Sequence, residues 1–175
     1  MKRIFVSILA FQLFGMVAMA QSFTLKSEDV KNTATSKQVA NVFGCKGQNL
    51  SPQLHWAGAP AGTKSFAITI FDKDAPREGG FWHWVVYNIP ATVTSLKSGA
   101  SNSLPPGALN GLNDAGSFGY VGLCPPKGQR HEYIVTVYAL KAKLPEMKDA
   151  TPEKAASVIK KNSQGNASFS FFYQH

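Results

Sequence analysis

The sequence predicts a mainly β protein of antiparallel strands with a single helix near its end. Three observations lead there. Ser65–Phe71, Trp82–Ile89 and Tyr133–Leu140 are runs rich in β-branched and aromatic residues, bounded by turn-forming residues. The strongest helix start lies late, at Thr151-Pro152-Glu153, where a capping threonine precedes proline at the first helical position and an acid in the first turn. At 175 residues and 44% hydrophobic content, the chain can bury one core but is short for two.

From the start, Lys2 and Arg3 precede a mostly apolar segment, Ile4 to Val17, and Ala18-Met19-Ala20 reads as a small-x-small cleavage site. The alternative is an uncleaved anchor, but Gln12 interrupts a run that is already short for a span of about 20 residues. The expectation is a cleaved signal over 1–20 and one domain over 21–175. No lipid-attachment cysteine follows the cleavage site, so the product should be soluble and exported, periplasmic or secreted. Gln21 to Val42 is polar and weakly alternating, an N-terminal strand with a lead-in loop. Gly44 to Pro52 is turn-rich, and Leu54–Trp56 is a short strand.

Ser65–Phe71 puts Phe66, Ile68 and Ile70 on one face. Asp72-Lys73-Asp74-Ala75-Pro76 then breaks the pairing, since Pro76 has no N–H, and Gly79-Gly80 reverses the chain. Trp82–Ile89 follows, with His83, Val85, Tyr87 and Ile89 opposing Trp82, Trp84, Val86 and Asn88 if alternation holds. Both sets are largely apolar, as in a central strand. Pro90 to Gly119 is long and without periodicity, the signature of a functional or mobile loop. His131 and Tyr133 share a face at the start of the third strong run. The helix carries a narrow stripe of Ala155, Ala156, Val158 and Ile159, stops at Asn162–Gly165, and gives way to a short closing strand, Ala167–Tyr173.

Removing Lys2 and Arg3 lowers the formal charge from +8 to +6. The remaining basic residues are scattered, with no basic helix or nucleic-acid motif, which argues against a nucleic-acid partner. Cys45 and Cys124 both sit in turn-like sequence, and an export compartment permits a bridge between them; two buried free thiols are the other reading.

Two stretches concentrate polar chemistry beside aromatics: FDKDAPREGGFWHWVVYNIP (Phe71–Pro90) and GYVGLCPPKGQRHEY (Gly119–Tyr133). With GCKGQNLSPQLHW and SFAITIFDKDAP they resemble, in order, the phosphatidylethanolamine-binding protein family, in the bacterial branch described as Raf-kinase-inhibitor-like. The resemblance runs from about Phe43 to Leu140 and implies an antiparallel β-sandwich with Greek-key connections and a small C-terminal helical element. It also implies a phosphoryl-binding pocket at Asp72, Asp74, Ala75, Pro76, His83, Cys124, Pro126, His131 and Tyr133. Lys73 stands where the family has proline, and so does Leu123.

Singly, each of these residues has a plain structural role: aspartates bonding turn amides, a core histidine, a packed tyrosine ring. Together, in family order, they imply a pocket in which His83, His131 and the Tyr133 hydroxyl should donate to an anion. The aspartates should orient the imidazoles and raise their pKa values, with Trp82 and Trp84 packing the rim. His55 and His175 are read as structural or solvated. No Gly-x-Ser-x-Gly or His-Glu-x-x-His occurs, and Asp72, Asp74, His83 and His131 fit no standard metal spacing. The expectation is therefore a non-catalytic binding protein without metal or cofactor. The alternative is a protein-interaction module or an inhibitor of a kinase or protease, with a hydrolase third.

Overall fold

The computed structural model describes residues 22–175. The expected signal segment lies outside them. Eight strands and one α-helix follow in the order β1 (Thr24–Lys26), β2 (Leu54–Ala57), β3 (Ser65–Asp72), β4 (Phe81–Pro90), β5 (Ser95–Leu96), β6 (Leu109–Asn110), β7 (His131–Leu140), α1 (Pro152–Asn162) and β8 (Ser163–Tyr173). They form two antiparallel sheets, β1-β2-β5 and β6-β4-β3-β7-β8.

The sheets close on a core built from Leu25, Leu54, Trp56 and Leu96 of the small sheet and from Phe66, Ile68, Ile70, Trp84, Val86, Ile89, Val135 and Val137 of the large one. The opposite face of the large sheet is buried as well. Ala67, Val85, Tyr87 and Leu140 pack there against Leu144, Met147, Ala155 and Ile159. Helix α1 supplies the last two of these, and the Thr151 hydroxyl caps it by accepting the Lys154 amide N–H at 3.3 Å. A sheet covered on both faces needs apolar residues on both, which is why β4 reads as a nearly continuous hydrophobic run.

Strict alternation fails along β4, and the failure positions the site. Ile70 pairs with Trp84 and Phe71 with Trp82, so His83 is an extra residue opposite β3. Such a bulge turns the strand. His83 consequently joins the side of Trp84 and Tyr133, edge-on to the Tyr133 ring at 5.4 Å, while Trp82 goes to the helix-side cluster. A second shift separates the Phe66–Ile89 and Ile68–Val86 pairs; Asn88 lies within it at φ 59° and clamps the backbone of Leu144 with bonds of 2.8 and 2.9 Å. The expected grouping of His83 with Val85, Tyr87 and Ile89 is corrected accordingly.

Two further expectations change. The closing strand begins at Ser163, directly after the helix, and pairs with β7 along almost its whole length. The stretch 90–119 holds β5, β6 and a 3-10 turn at Ala100–Asn102, short pieces tied to their neighbours by side-chain bonds such as Trp84 Nε1–H to Asn110 Oδ1 at 2.9 Å.

Candidate functional site

At one end of the large sheet, β3, β4 and β7 finish around a cavity of about 240 Å³. Its lining includes Asp72, Ala75, Pro76, His83, Cys124, Pro126 and His131, and also Phe43, Phe81, Gly122 and Pro125. Seven of the nine residues expected from the resemblance therefore meet there.

The remaining two, Asp74 and Tyr133, do not line it. Asp74 turns to the start of the neighbouring strand β7: its Oδ2 accepts the Glu132 amide at 2.8 Å, and Lys73 lies 3.6 Å from its Oδ1. Tyr133 is fully buried behind the pocket, stacked on Phe171 at 5.4 Å, with a hydroxyl that has no hydrogen-bond partner among the described residues. Burial, reinforced by the Asp72 charge, pushes its pKa up and keeps it neutral. Trp82 and Trp84 do not form a rim either. Trp84 is core, and Trp82 packs on Phe71 at 4.5 Å. The two departures from the family pattern also point elsewhere, Lys73 pairing with Glu132 at 3.0 Å and Leu123 filling the core.

Each imidazole is held through Nδ1. His131 Nδ1–H donates to Asp72 Oδ2 at 2.7 Å, a pair with both side chains at most 5% exposed. Asp72 is held in turn, its Oδ1 accepting the Asp74 amide at 2.9 Å. His83 Nδ1 lies 2.8 Å from the Val121 carbonyl oxygen. A carbonyl can only accept, so Nδ1 carries the proton and the neutral ring leaves Nε2 as a lone pair. The expectation that a carboxylate would raise the pKa of this histidine is corrected. Burial lowers it, and this outweighs the raising effects of the Val121 bond and the more distant Asp72 and Asp114 charges.

The outer wall is the segment Tyr120–Pro126, which the sequence left without regular structure. Val121 N–H donates to the His83 carbonyl at 3.0 Å, locking the segment onto the bulged residue. Asn49, in the Asn-Leu-Ser-Pro stretch, adopts φ 55° and accepts the Gly122 amide on its Oδ1 at 2.7 Å. A Cβ at Gly122 would fall 2.3 Å from the Ala40 nitrogen, so only glycine permits this approach. A disulfide joins Cys45 to Cys124 across 79 positions and ties the Phe43 loop to the same wall. The signal for this role of Asn49 is its place in the family-like stretch GCKGQNLSPQLHW.

Fold and site together define a two-sheet β protein with a largely apolar pocket and two buried, oriented histidines. The model of the family described as phosphatidylethanolamine-binding protein matches residues 26–174, and the chain belongs to that family. It is similar to the UPF0098 protein YbcL of Escherichia coli K12, with 42% identity over 183 positions and 99% of each chain covered. The UPF0098 protein YbhB of the same organism is 49% identical over 107 positions, 59% of this chain and 68% of that one. The crystal structure of E. coli YbcL superposes with a TM-score of 0.84, covering 87% of this chain and 98% of that one at 42% identity. A homologue from Chlamydia trachomatis gives 0.75 at 29% identity, with 88% and 98% covered.

Proposed function

We propose that the protein is an exported, non-catalytic binding protein whose pocket takes a small anion of the phosphoryl or phospholipid head-group type. The observation that carries this is the pair of buried imidazoles at one cavity, each with its Nδ1–H committed to a fixed protein acceptor. That arrangement orients both rings and leaves the His83 Nε2 for another partner, while His131 Nε2 lies 3.3 Å from Gln129 Oε1. A low-dielectric wall of Phe43, Phe81, Pro76, Pro125 and Pro126 strengthens any charge-assisted bond formed inside. Among the lining residues the one thiol-bearing side chain, Cys124, is tied up in the disulfide, consistent with binding rather than covalent chemistry. Export is supported by the leader-like first twenty residues and by the disulfide.

Titration of inorganic phosphate and O-phosphoethanolamine against wild type and His83→Ala tests the reading. Loss of a charge-assisted bond worth about 1.5–3 kcal/mol should weaken binding on the order of tenfold or more. Equal affinity in the variant would remove the pocket from consideration.

A protein-interaction role is the second reading, favoured by one feature. Phe43 lines the cavity yet is 67% exposed, beside Val42 at 45%. A partner that binds wild type but not Phe43→Ser, with the pocket indifferent to both anions, would support it.

A further inference from the structure

Behind the pocket wall, His175 meets the disulfide. Its Nδ1 lies 3.6 Å from Cys45 Sγ, and one ring nitrogen and both sulfurs all fall within 4.8 Å of one another. The position of His175 is anchored. Gly128 N–H donates to the His175 carbonyl at 2.8 Å, the neighbouring Gln174 Nε2 donates to the Gly128 carbonyl at 3.1 Å, and the Tyr173 and His175 rings sit 6.2 Å apart. Nothing in the anion reading uses this contact.

We propose that, once the disulfide is reduced, Cys45, Cys124 and His175 form a binding site for a thiophilic cation such as Zn²⁺. Two thiolates and an imidazole are the ligand set that soft and borderline metals select. The Cα atoms of the two cysteines are 6.0 Å apart. With metal–sulfur bonds of about 2.3 Å, two thiolates on one tetrahedral ion sit about 3.7 Å from each other. Rotation about the two Cα–Cβ bonds would have to open the sulfurs to that spacing across this Cα separation. Cys45 is buried, Cys124 is half-buried and His175 is exposed, so the ion would have one closed side and one open to water for a fourth ligand.

The chemistry balances with a dithiol reductant. Its two thiols give two electrons and two protons to the Cys45–Cys124 bond, leaving two cysteine thiols here and a disulfide on the reductant. Zn²⁺ then displaces the two thiol protons. The disulfide and the metal are thus alternative cross-links between the Phe43 loop and the pocket wall. The ion would hold that wall in place where the bridge is open, because binding to the folded state alone stabilises it.

The test uses mature protein reduced with a phosphine, desalted without oxygen, and titrated with Co²⁺ and then Zn²⁺. The expected result is one equivalent of Co²⁺ with a thiolate-to-cobalt charge-transfer band, displacement by Zn²⁺, and a higher melting temperature for the reduced protein with metal. Oxidised protein should show none of these. His175→Ala, which leaves both cysteines intact, should weaken Zn²⁺ binding on the order of tenfold or more and lose most of the thermal gain. Absence of the band would overturn the proposal. So would equal binding by oxidised protein, an unaltered affinity in His175→Ala, or a reduced chain that stays without near-ultraviolet circular dichroism when metal is added. Phosphate titration of oxidised protein is a separate measurement, so failure here leaves the anion pocket untouched.

Discussion

Anion binding should be linked to protonation of His83. Its Nδ1–H is spent on Val121, so the neutral ring meets an incoming anion with a lone pair at Nε2. Burial holds its pKa below the ordinary 6.5, so near pH 7 the free pocket presents that neutral form. A fully ionised anion such as sulfate must therefore bring a proton into the ring. A charge-assisted bond of about 1.5–3 kcal/mol corresponds to a rise of roughly one to two pKa units on binding. Between the free and bound pKa values, sulfate affinity should fall about tenfold per pH unit as pH rises, and by roughly 10- to 100-fold in all. Hydrogen phosphate carries a proton of its own and can donate it to Nε2, so its affinity should vary less. Calorimetry at about pH 5.5 and pH 7.5, in buffers of different ionisation enthalpy, counts the protons taken up. His83→Gln should flatten the sulfate profile, which separates His83 from the other titratable groups nearby: Asp72 on β3, His131 and Tyr133 on β7, and Asp114 in the loop before the wall. Sulfate affinity that is independent of pH, or that rises with it, would refute the reasoning, as would an unchanged profile in His83→Gln.

Stability should respond to the same group with a definite sign. Because the folded pKa of His83 is depressed, the unfolded chain binds the extra proton first, so stability is lost as pH falls below 6.5 and levels off beneath the folded pKa; melting curves of wild type and His83→Gln across that range check it. Tyr133→Phe should leave phosphate affinity within twofold and stability unchanged or slightly raised, by about 1 kcal/mol at most, because it removes a buried hydroxyl that has no partner among the described residues. Calorimetry and thermal melts decide; a large loss of affinity would mean that the hydroxyl reaches the ligand. Reduction of Cys45–Cys124, with chelator present, should lower unfolding stability by up to about 4–5 kcal/mol for a loop of this length, as read by urea titration.

The strands β3 and β7, the helix start at Thr151 and the gathering of Asp72, His83 and His131 were legible in the sequence, because each follows from local pattern or from motifs in family order. Burial of the large sheet on both faces could be read from the apolar content of Trp82–Ile89. What stayed hidden depends on partners distant in the chain. The bulge at His83 exists only relative to β3, and no property of Trp82-His83-Trp84 by itself marks which residue is extra. Helix α1 leads straight into β8 because β7 offers an edge to pair with, a contact that overrides the weak propensity of Ser163–Asn166. The tasks of the polar residues were decided the same way. Asp74 and Asp72 are two apart on one strand end and looked equivalent, but one faces the Glu132 amide and the other a buried imidazole. Tyr133 shares a face with His131, yet it lies one pleat deeper, behind the ring of His83, where it is closed off from solvent. Sequence thus determined which groups come to this end of the sheet. Tertiary packing decided which of them face the cavity and how burial shifts His83 and Tyr133, because desolvation and hydrogen-bond partners are supplied by the rest of the fold.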